Sequence, residues 1–154
     1  MSDFSLHCLY ASTSGNVEAV VEKVADVWRN IGWEVTLHRA EKTKWGEVSS
    51  KSHFLFATST WEHGVLNPFF VPLLKEMAGA SFAGKRAAFL GLGDTRYEPV
   101  LFCNGIEILK AAWVKGQGEV KEPVLKINGE PYGQLESIVA PWAQRVASDW
   151  SKHA

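Results

Sequence analysis

The sequence has few residues of the kinds that build metal or redox-cysteine sites. Its 154 residues include only two cysteines, Cys8 and Cys103, which are too far apart for a CxxC redox or zinc motif. We therefore expect both to be buried, reduced thiols. The histidines lack the spacing of metal ligands, which argues against a catalytic or structural metal; they are His7, His38, His53, His63 and His153.

An excess of one charge and long apolar segments are also missing. The 16 Lys and Arg residues nearly balance the 17 Asp and Glu residues without a long run of either sign, so we expect no cationic face for nucleic acid. No apolar run approaches the roughly 18–20 residues that cross a bilayer. Residues 1–4 lack the basic segment of a secretory signal. These absences predict a cytoplasmic protein that binds neither membranes nor nucleic acid.

Apolar residues alternate between strand-like runs and helix-like stripes along a single predicted domain, residues 1–154. Strands are predicted at 4–10, 33–37, 53–57, 87–92 and 120–127, the last interrupted near Pro123. Helices are predicted at 17–31, 68–77 and 102–114, with one turn within 42–50 and a final helix that begins near residue 137. This alternation implies an α/β fold, a parallel sheet with helices on both faces. Because ligands of such sheets bind beyond the carboxyl ends of the strands, the loops after residues 10, 58 and 92 are candidate sites.

The loop Ser12-Thr13-Ser14-Gly15-Asn16 has the composition of an anion-binding helix start. Its three hydroxyls can donate hydrogen bonds, Gly15 lets the backbone approach a ligand, and Asn16 stands where a helix N-cap belongs. Free N–H groups and the positive end of the helix dipole favour an anion there. The segment matches neither a P-loop nor the dinucleotide GxGxxG. We predict that it binds a phosphate group of a cofactor; the alternative is a polar turn that only caps the helix.

A second polar segment, Thr58-Ser59-Thr60-Trp61-Glu62-His63-Gly64, follows the third predicted strand. A Trp placed directly after polar residues at the carboxyl end of a strand is poorly placed for the core. Trp61 is therefore a candidate to cover the face of a flat ring, the alternative being a surface Trp that packs over a helix. His63 beside it is a candidate to titrate near neutral pH, or else a solvated loop residue.

The third candidate loop is Gly91-Leu92-Gly93-Asp94-Thr95-Arg96-Tyr97, after the most apolar predicted strand. Two glycines permit a close approach of the backbone, and backbone groups around Gly93 and Asp94 can bond the edge of a heterocycle. Tyr97 offers a second aromatic face. The alternative is a turn initiated by the Asp. Together, one phosphate loop and two aromatic loops at one sheet edge predict a site for a mononucleotide with a large ring.

With these motifs in this order, the chain resembles the flavodoxins, small proteins that carry FMN and transfer electrons. The family's first loop, approximately Ser/Thr-x-Thr/Ser-Gly-Asn-Thr-Glu, corresponds to residues 12–18. Its Ser-Thr-Trp corresponds to Ser59-Thr60-Trp61, and its Gly-x-Gly-Asp-Ser-x-Tyr corresponds to residues 91–97. Phe102-Cys103 and the segment 126–131 also match. The resemblance covers essentially the whole chain, and the last strand region leaves no room for the long insertion of the long-chain subgroup, which indicates the short-chain type.

The resemblance implies a flavodoxin-like three-layer sandwich around a five-stranded parallel sheet of order 2-1-3-4-5. It implies non-covalent FMN, with its phosphate on the first loop and its ring between two aromatic side chains. The implied function is a monomeric, low-potential electron carrier, not an enzyme, which meets flavodoxin or ferredoxin reductase-type donors and redox-enzyme acceptors transiently. The implied cofactor-binding residues are Ser12, Thr13, Ser14, Gly15, Asn16, Val17, Ser59, Thr60, Trp61, Glu62, Gly64, Gly93, Asp94, Tyr97, Phe102 and Cys103.

The chain departs from the family pattern at several positions. Val17 replaces a common Thr, and a hydrogen bond to a charged group is worth about 1.5–3 kcal/mol, so weaker FMN binding is expected. Glu62 stands where short-chain relatives usually carry Gly, at a peptide that in the family flips as the flavin N5 gains a proton. A non-Gly residue at positive φ costs roughly 1–2 kcal/mol, so a semiquinone less stable than in Gly-bearing relatives is expected. Residues 99–101 lengthen the stretch between Tyr97 and Phe102, which affects the expected angle of Tyr97.

The near-neutral charge is a further departure, because flavodoxins are commonly strongly acidic. Either acidic side chains cluster around the cofactor, with Glu62, Asp94 and Glu98 as candidates, or partner docking depends less on electrostatic steering.

Two other functions occur on folds of this kind. An FMN-dependent quinone reductase needs a substrate pocket beside the ring, but the sequence has no insertion long enough to build one and no general acid beyond His63 or Tyr97. A phospho-receiver domain needs paired acidic residues after the first strand, where Tyr10-Ala11-Ser12 stands instead. The sequence therefore favours the electron carrier, with the quinone reductase as the alternative.

Overall fold

A sheet of six strands forms the centre of the computed structural model, which describes residues 4–61, 64–96 and 101–152. Five strands run parallel in the order β2-β1-β3-β5-β6, and the short β4 pairs antiparallel with the end of β3. The predicted order is thereby confirmed, with one short strand added. The strands are β1 Ser5–Tyr10, β2 Glu34–Arg39, β3 His53–Trp61, β4 Val65–Leu66, β5 Arg86–Gly93 and β6 Glu119–Asn128.

Helices cover both faces of the sheet, as the alternating pattern predicts. The helices α1 and α5 pack on one face, and α2, α3 and α4 pack on the other. Their bounds are α1 Asn16–Ile31, α2 Trp45–Val48, α3 Val71–Met77, α4 Asn104–Lys115 and α5 Ala140–Lys152. No helix within the described ranges is long and apolar enough to cross a bilayer.

The central strands are apolar without interruption because both of their faces are buried. Along β3, Phe54 and Phe56 enter the core under α4, whereas Leu55 and Ala57 face the core under α1 and α5. The alternation fixes the register of each strand, since a shift of one residue would exchange the two faces. Consequently the carboxyl ends of β1, β3 and β5 are held at one edge of the sheet.

The predicted end of the third strand was wrong. The strand continues from the predicted residue 57 to Trp61, because Ser59 pairs with Leu92 of β5 and Trp61 pairs with Val65 of β4. Ser59, Thr60 and Trp61 therefore lie on a strand and not in a loop. Glu62, His63 and Tyr97, together with residues 98–100, lie outside the described residues.

The other predicted bounds need smaller corrections. Instead of one helix at 68–77, a 3-10 turn at Pro68–Phe70 precedes α3, which begins at Val71. The fourth helix begins two residues later than predicted, at Asn104, and β6 continues past Pro123 with a shift of register. In the last segment, 3-10 and π turns over residues 132–139 precede α5. The missing N–H of Pro141 leaves the regular ladder incomplete there, which agrees with the wide π turn.

Candidate functional site

A cleft of about 240 Å³ lies at the edge of the sheet where β1, β3, β5 and β6 end. Four segments that are distant in sequence meet there, as expected at the carboxyl ends of parallel strands. The cleft is lined by Ser12, Thr13, Ser14, Asn16, Val17, Ser59, Thr60, Leu92, Gly93, Asp94, Arg96, Gly129 and Glu130.

Ser12 organises the predicted phosphate-binding loop, residues 12–16, from within. Its side chain is nearly fully buried, and its Oγ accepts hydrogen bonds from the amides of Gly15 at 3.1 Å and Glu18 at 3.4 Å. Because both contacts use the lone pairs of the oxygen, the hydroxyl hydrogen remains available to a ligand. The serine thus shapes the loop and keeps one donor.

The start of α1 differs from the prediction by one residue. Gly15, and not Asn16, is the residue before the helix, and it lies in the left-handed region with φ 90°. Glycine adopts this conformation without the steric cost that other residues incur. Asn16 is consequently the first helical residue, so its amide and that of Val17 have no carbonyl one turn earlier to bond. Both residues line the cleft.

The Val17 side chain lies in the core under α1 and is 2% exposed. A hydroxyl at this position would have no part in that apolar packing, which accounts for a valine here. The backbone N–H at the helix start is unaffected by the presence of Val17 in place of the Thr common in the family pattern.

A second set of contacts fixes the end of β3. The Oγ1 of Thr60 accepts the amide of Gly105, the second residue of α4, at 2.7 Å. The Oγ of Ser59 accepts a hydrogen bond from the buried side chain of Asn67 at 3.0 Å. Trp61 is 44% exposed at the outer end of this strand. The strand therefore presents two positioned hydroxyls and one solvent-facing aromatic ring.

The loop after β5 is held by the turn after β6. The amide of Gly129 donates to the carbonyl of Gly93 at 2.8 Å. The Asn128 side chain accepts the amide of Thr95 at 3.0 Å and donates to the Thr95 hydroxyl at 2.9 Å. This two-way contact orders the loop without the ligand.

We expect Asn128→Ala to release this loop. The variant removes both bonds to Thr95, so the protection of the Thr95 amide against hydrogen exchange should fall about tenfold. Exchange followed by NMR or mass spectrometry measures this. Gln134→Ala is the control, because the Gln134 amide group contacts only the carbonyls of Asn128 and Glu130 in this turn. Equal protection of Thr95 in all three proteins would contradict the assignment.

Asp94 and Arg96 form a surface ion pair at the mouth of the cleft, with Nη2 and Oδ2 2.6 Å apart. Hydrogen bonds from the Arg96 side chain and amide lower the pKa of Asp94 below its usual value. The carboxylate therefore stays ionised at neutral pH, and the two charges largely cancel beside the ligand space.

Phe102 and Cys103 support the same loop from behind. A Cβ on Gly93 would lie 3.0 Å from the Cys103 amide nitrogen and 3.1 Å from Phe102 Cδ1, so only glycine fits comfortably there. Gly64, with φ 72°, lies beside the start of α4, where its carbonyl accepts a hydrogen bond from the Asn104 side chain at 2.8 Å. Phe102, Cys103 and Gly64 are not among the residues that line the cleft, although they shape the site around it.

Both cysteines are buried free thiols, as the sequence predicts. Burial raises the pKa of Cys103 to about 12 and raises that of Cys8 as well. We expect neither thiol of the folded protein to react with an aromatic disulfide reagent at pH 8, because the nucleophile is the thiolate. Two equivalents should react at once in denaturant; rapid reaction of either cysteine in the folded state would contradict this.

The structure brings together nine of the predicted site residues around one cleft. These are Ser12, Thr13, Ser14, Asn16, Val17, Ser59, Thr60, Gly93 and Asp94. Five other predicted residues stand beside the cleft without lining it, namely Gly15, Trp61, Gly64, Phe102 and Cys103. The remaining two, Glu62 and Tyr97, lie outside the described residues. Four lining residues were absent from the predicted set, namely Leu92, Arg96, Gly129 and Glu130. The position of Gly129 and Glu130 directly after the last strand was the signal for including them.

The donors at this cleft fit a phosphorylated ligand. Buried and surface hydroxyls, the amides at the start of α1 and the positive end of its dipole are all suited to a phosphate group. Within the described ranges, no group of three or more His, Cys, Asp or Glu side chains converges as metal ligands do.

Comparisons with known proteins find relatives in sequence and in fold. The sequence is 30% identical to a flavodoxin of Maridesulfovibrio salexigens over 142 residues, which are 90% of this chain and 94% of the relative. The structure of oxidised Flavodoxin 2 from Bacillus cereus superposes with a TM-score of 0.85 at 25% identity, covering 97% of this chain and 99% of that one. A Fusobacterium nucleatum flavodoxin bound to flavin mononucleotide shares the fold, with a TM-score of 0.76 at 15% identity over 97% and 98% of the two chains.

The sequence model of the flavodoxin family matches residues 8–142, a span that includes every residue lining the cleft. The chain belongs to the flavodoxin family.

Proposed function

We propose that the protein is a low-potential electron carrier that binds FMN non-covalently and passes single electrons between a reductase and acceptor proteins. The observation that carries this proposal is the cleft itself, where the phosphate-binding loop meets the end of β3 and the loop after β5. The flavodoxin relatives and the FMN-bound structural neighbour support the same ligand. Bound FMN would supply the redox chemistry, and the residues of the chain would hold and orient it.

The roles of the residues follow from their positions. The amides of Asn16 and Val17 and the hydroxyls of the loop would bind the phosphate. The backbone around Gly93 and Asp94 would bond the edge of the ring system. Trp61 is exposed enough for one face of its indole to lie against the ring, and the family pattern assigns the other face to Tyr97.

The proposed carrier acts as a monomer in the cytoplasm and docks transiently with its partners. The near-neutral net charge favours docking that depends weakly on salt, whereas acidic side chains clustered around the cofactor would make docking salt-dependent. A stopped-flow series at increasing ionic strength with a flavodoxin reductase measures this dependence, and sedimentation measures the mass.

A titration of the apo-protein with FMN and riboflavin tests the proposal. We expect flavin fluorescence to be quenched with one equivalent of FMN, and riboflavin to bind at least about 100-fold more weakly, because it lacks the group that the loop would hold. The loaded protein should accept electrons from NADPH only when a reductase is added. Direct turnover of NADPH with a quinone would favour the reductase alternative, and absence of FMN binding would reject both.

A further inference from the structure

Arg39, the last residue of β2, connects three segments around the phosphate-binding loop. Its Nη2 donates a hydrogen bond to the carbonyl oxygen of Ser12 at 2.7 Å. Its Nε donates to Oε2 of Glu41 at 2.8 Å, and its Nη1 lies 3.5 Å from Oε2 of Glu18. One guanidinium thus contacts the backbone of the loop, the first turn of α1 and the segment after β2.

Tyr10 completes the cluster. The guanidinium carbon of Arg39 lies 5.5 Å from the centroid of the Tyr10 ring, within the range of a cation–π contact. The Tyr10 hydroxyl donates to Oε1 of Glu18 at 3.2 Å. The two carboxylate oxygens of Glu18 are therefore occupied separately, one by Tyr10 and the other by Arg39.

The negative charge of Glu18 opposes phosphate binding at the start of α1, and Arg39 reduces this effect. As the third residue of α1, Glu18 carries a negative charge in the helix turn whose free amides line the cleft. A carboxylate there stabilises the helix dipole but repels a second anion at the same place. The positive charge of Arg39, which is shared with Glu41, offsets part of the Glu18 charge at short range, so the amides remain more attractive to phosphate than they would be without Arg39.

We propose that Arg39 is a positioning residue for the cofactor phosphate, which fixes the Ser12 end of the loop and offsets part of the Glu18 charge beside it. This inference rests on the proposed FMN function. Neither role follows from the loop motif, since Arg39 stands 23 residues beyond Asn16 and reaches the loop through the pairing of β1 with β2.

A purely structural ion pair would behave differently. The side chains of Arg39, Glu18 and Glu41 are 28%, 39% and 24% exposed, and pairs this accessible contribute little to stability. Loss of Arg39 should therefore change the melting temperature of the apo-protein little, while ligand binding changes much more. The contrast between phosphorylated and unphosphorylated flavin isolates the proposed role.

The test compares FMN and riboflavin binding to Arg39→Gln, Arg39→Lys and Arg39→Gln/Glu18→Gln. We expect Arg39→Gln to weaken FMN binding about 30-fold and riboflavin binding less than about threefold. Removing the Glu18 charge in the double variant should raise the FMN affinity at least about fivefold above that of Arg39→Gln. Arg39→Lys should recover the charge effect but not the full affinity, because its ammonium cannot form the same fork of hydrogen bonds.

Arg29→Gln is the matched control. Arg29 also donates from Nη2 to a backbone carbonyl, that of Val35, at 2.8 Å, but it does so at the far end of α1 from the cleft. Its variant should bind FMN like the wild type, whatever its stability.

Titration of the apo-proteins with inorganic phosphate separates this inference from the proposed function. We expect phosphate to shift the amide resonances of residues 12–17 in the wild type and to do so more weakly in Arg39→Gln. If the wild type binds phosphate but not FMN, the proposed function fails and the Arg39 comparison still stands. The inference would be overturned if Arg39→Gln lost affinity for FMN and for riboflavin equally. It would also be overturned if the variant bound phosphate as the wild type does.

Discussion

Replacement of Ser12 by alanine is expected to weaken FMN binding about 100-fold, which corresponds to about 2.7 kcal/mol. Two losses combine in this variant. The amides of Gly15 and Glu18 lose their shared acceptor, the buried Oγ of Ser12, and the ligand loses the remaining hydroxyl donor. A hydrogen bond to a charged group is worth about 1.5–3 kcal/mol, and a loop without its internal acceptor must be ordered by the ligand itself. Fluorescence titration of the apo-protein measures the change.

Ser81→Ala is the matched control for this variant. The Ser81 Oγ also accepts a backbone amide, that of Ala83 at 3.4 Å, but on an exposed turn that does not line the cleft. FMN affinity should be the same as in the wild type. If Ser12→Ala bound FMN equally well, the loop would not depend on this hydroxyl, and the phosphate would have to be held by the backbone amides alone.

The fold was predictable from the sequence because its signals are local. Continuous apolar runs such as 87–92 occur only where a strand is covered on both sides, and the stripe of α1 is explicit from Val17 to Ile31. The alternation of these runs leaves few topologies, since parallel strands need a crossover between them. Once the strands were assigned, this topology also predicted which edge of the sheet carries the candidate site.

The errors in the prediction have a different origin, because they depend on contacts between distant residues. The strand β3 reaches Trp61 only because Leu66 and Leu92 provide partners for Thr60 and Ser59, and neither pairing is visible in the local pattern. Likewise, the lining by Gly129 and Glu130 depends on β6 lying next to β5. Local sequence predicted the phosphate-binding loop, whereas the groups that hold this loop in place come from the register of the sheet.

A tight contact between α4 and β3 leads to the second large expected effect, that of Gly105→Ala. In an isolated helix this change would stabilise by about 1 kcal/mol, because alanine has the higher helix propensity. Here a Cβ on residue 105 would lie 2.8 Å from the carbonyl oxygen of Ser59 and 3.1 Å from Thr60 Oγ1. A backbone atom cannot move aside as a flexible side chain can, so the start of α4 must shift away from β3.

Overpacking of this kind typically costs about 1–3 kcal/mol, so its middle value exceeds the propensity gain by about 1 kcal/mol. We therefore expect the melting temperature to fall by about 2–4 °C in a domain of this size. The bond from the Gly105 amide to Thr60 should lengthen as well. Because Ser59 and Thr60 line the cleft, FMN affinity should fall at least about tenfold in the same variant.

Gly46→Ala in α2 is the matched control for the sign of the change in melting temperature. That glycine is also helical, but a Cβ there would meet nothing within 4 Å. The identical chemical change should consequently raise the melting temperature slightly and leave FMN binding unchanged. Opposite shifts in the two variants would separate the packing of α4 on β3 from helix propensity. If Gly105→Ala stabilised the protein as Gly46→Ala is expected to do, α4 would have space for a Cβ at residue 105. The end of β3 would then not depend on the close approach of α4.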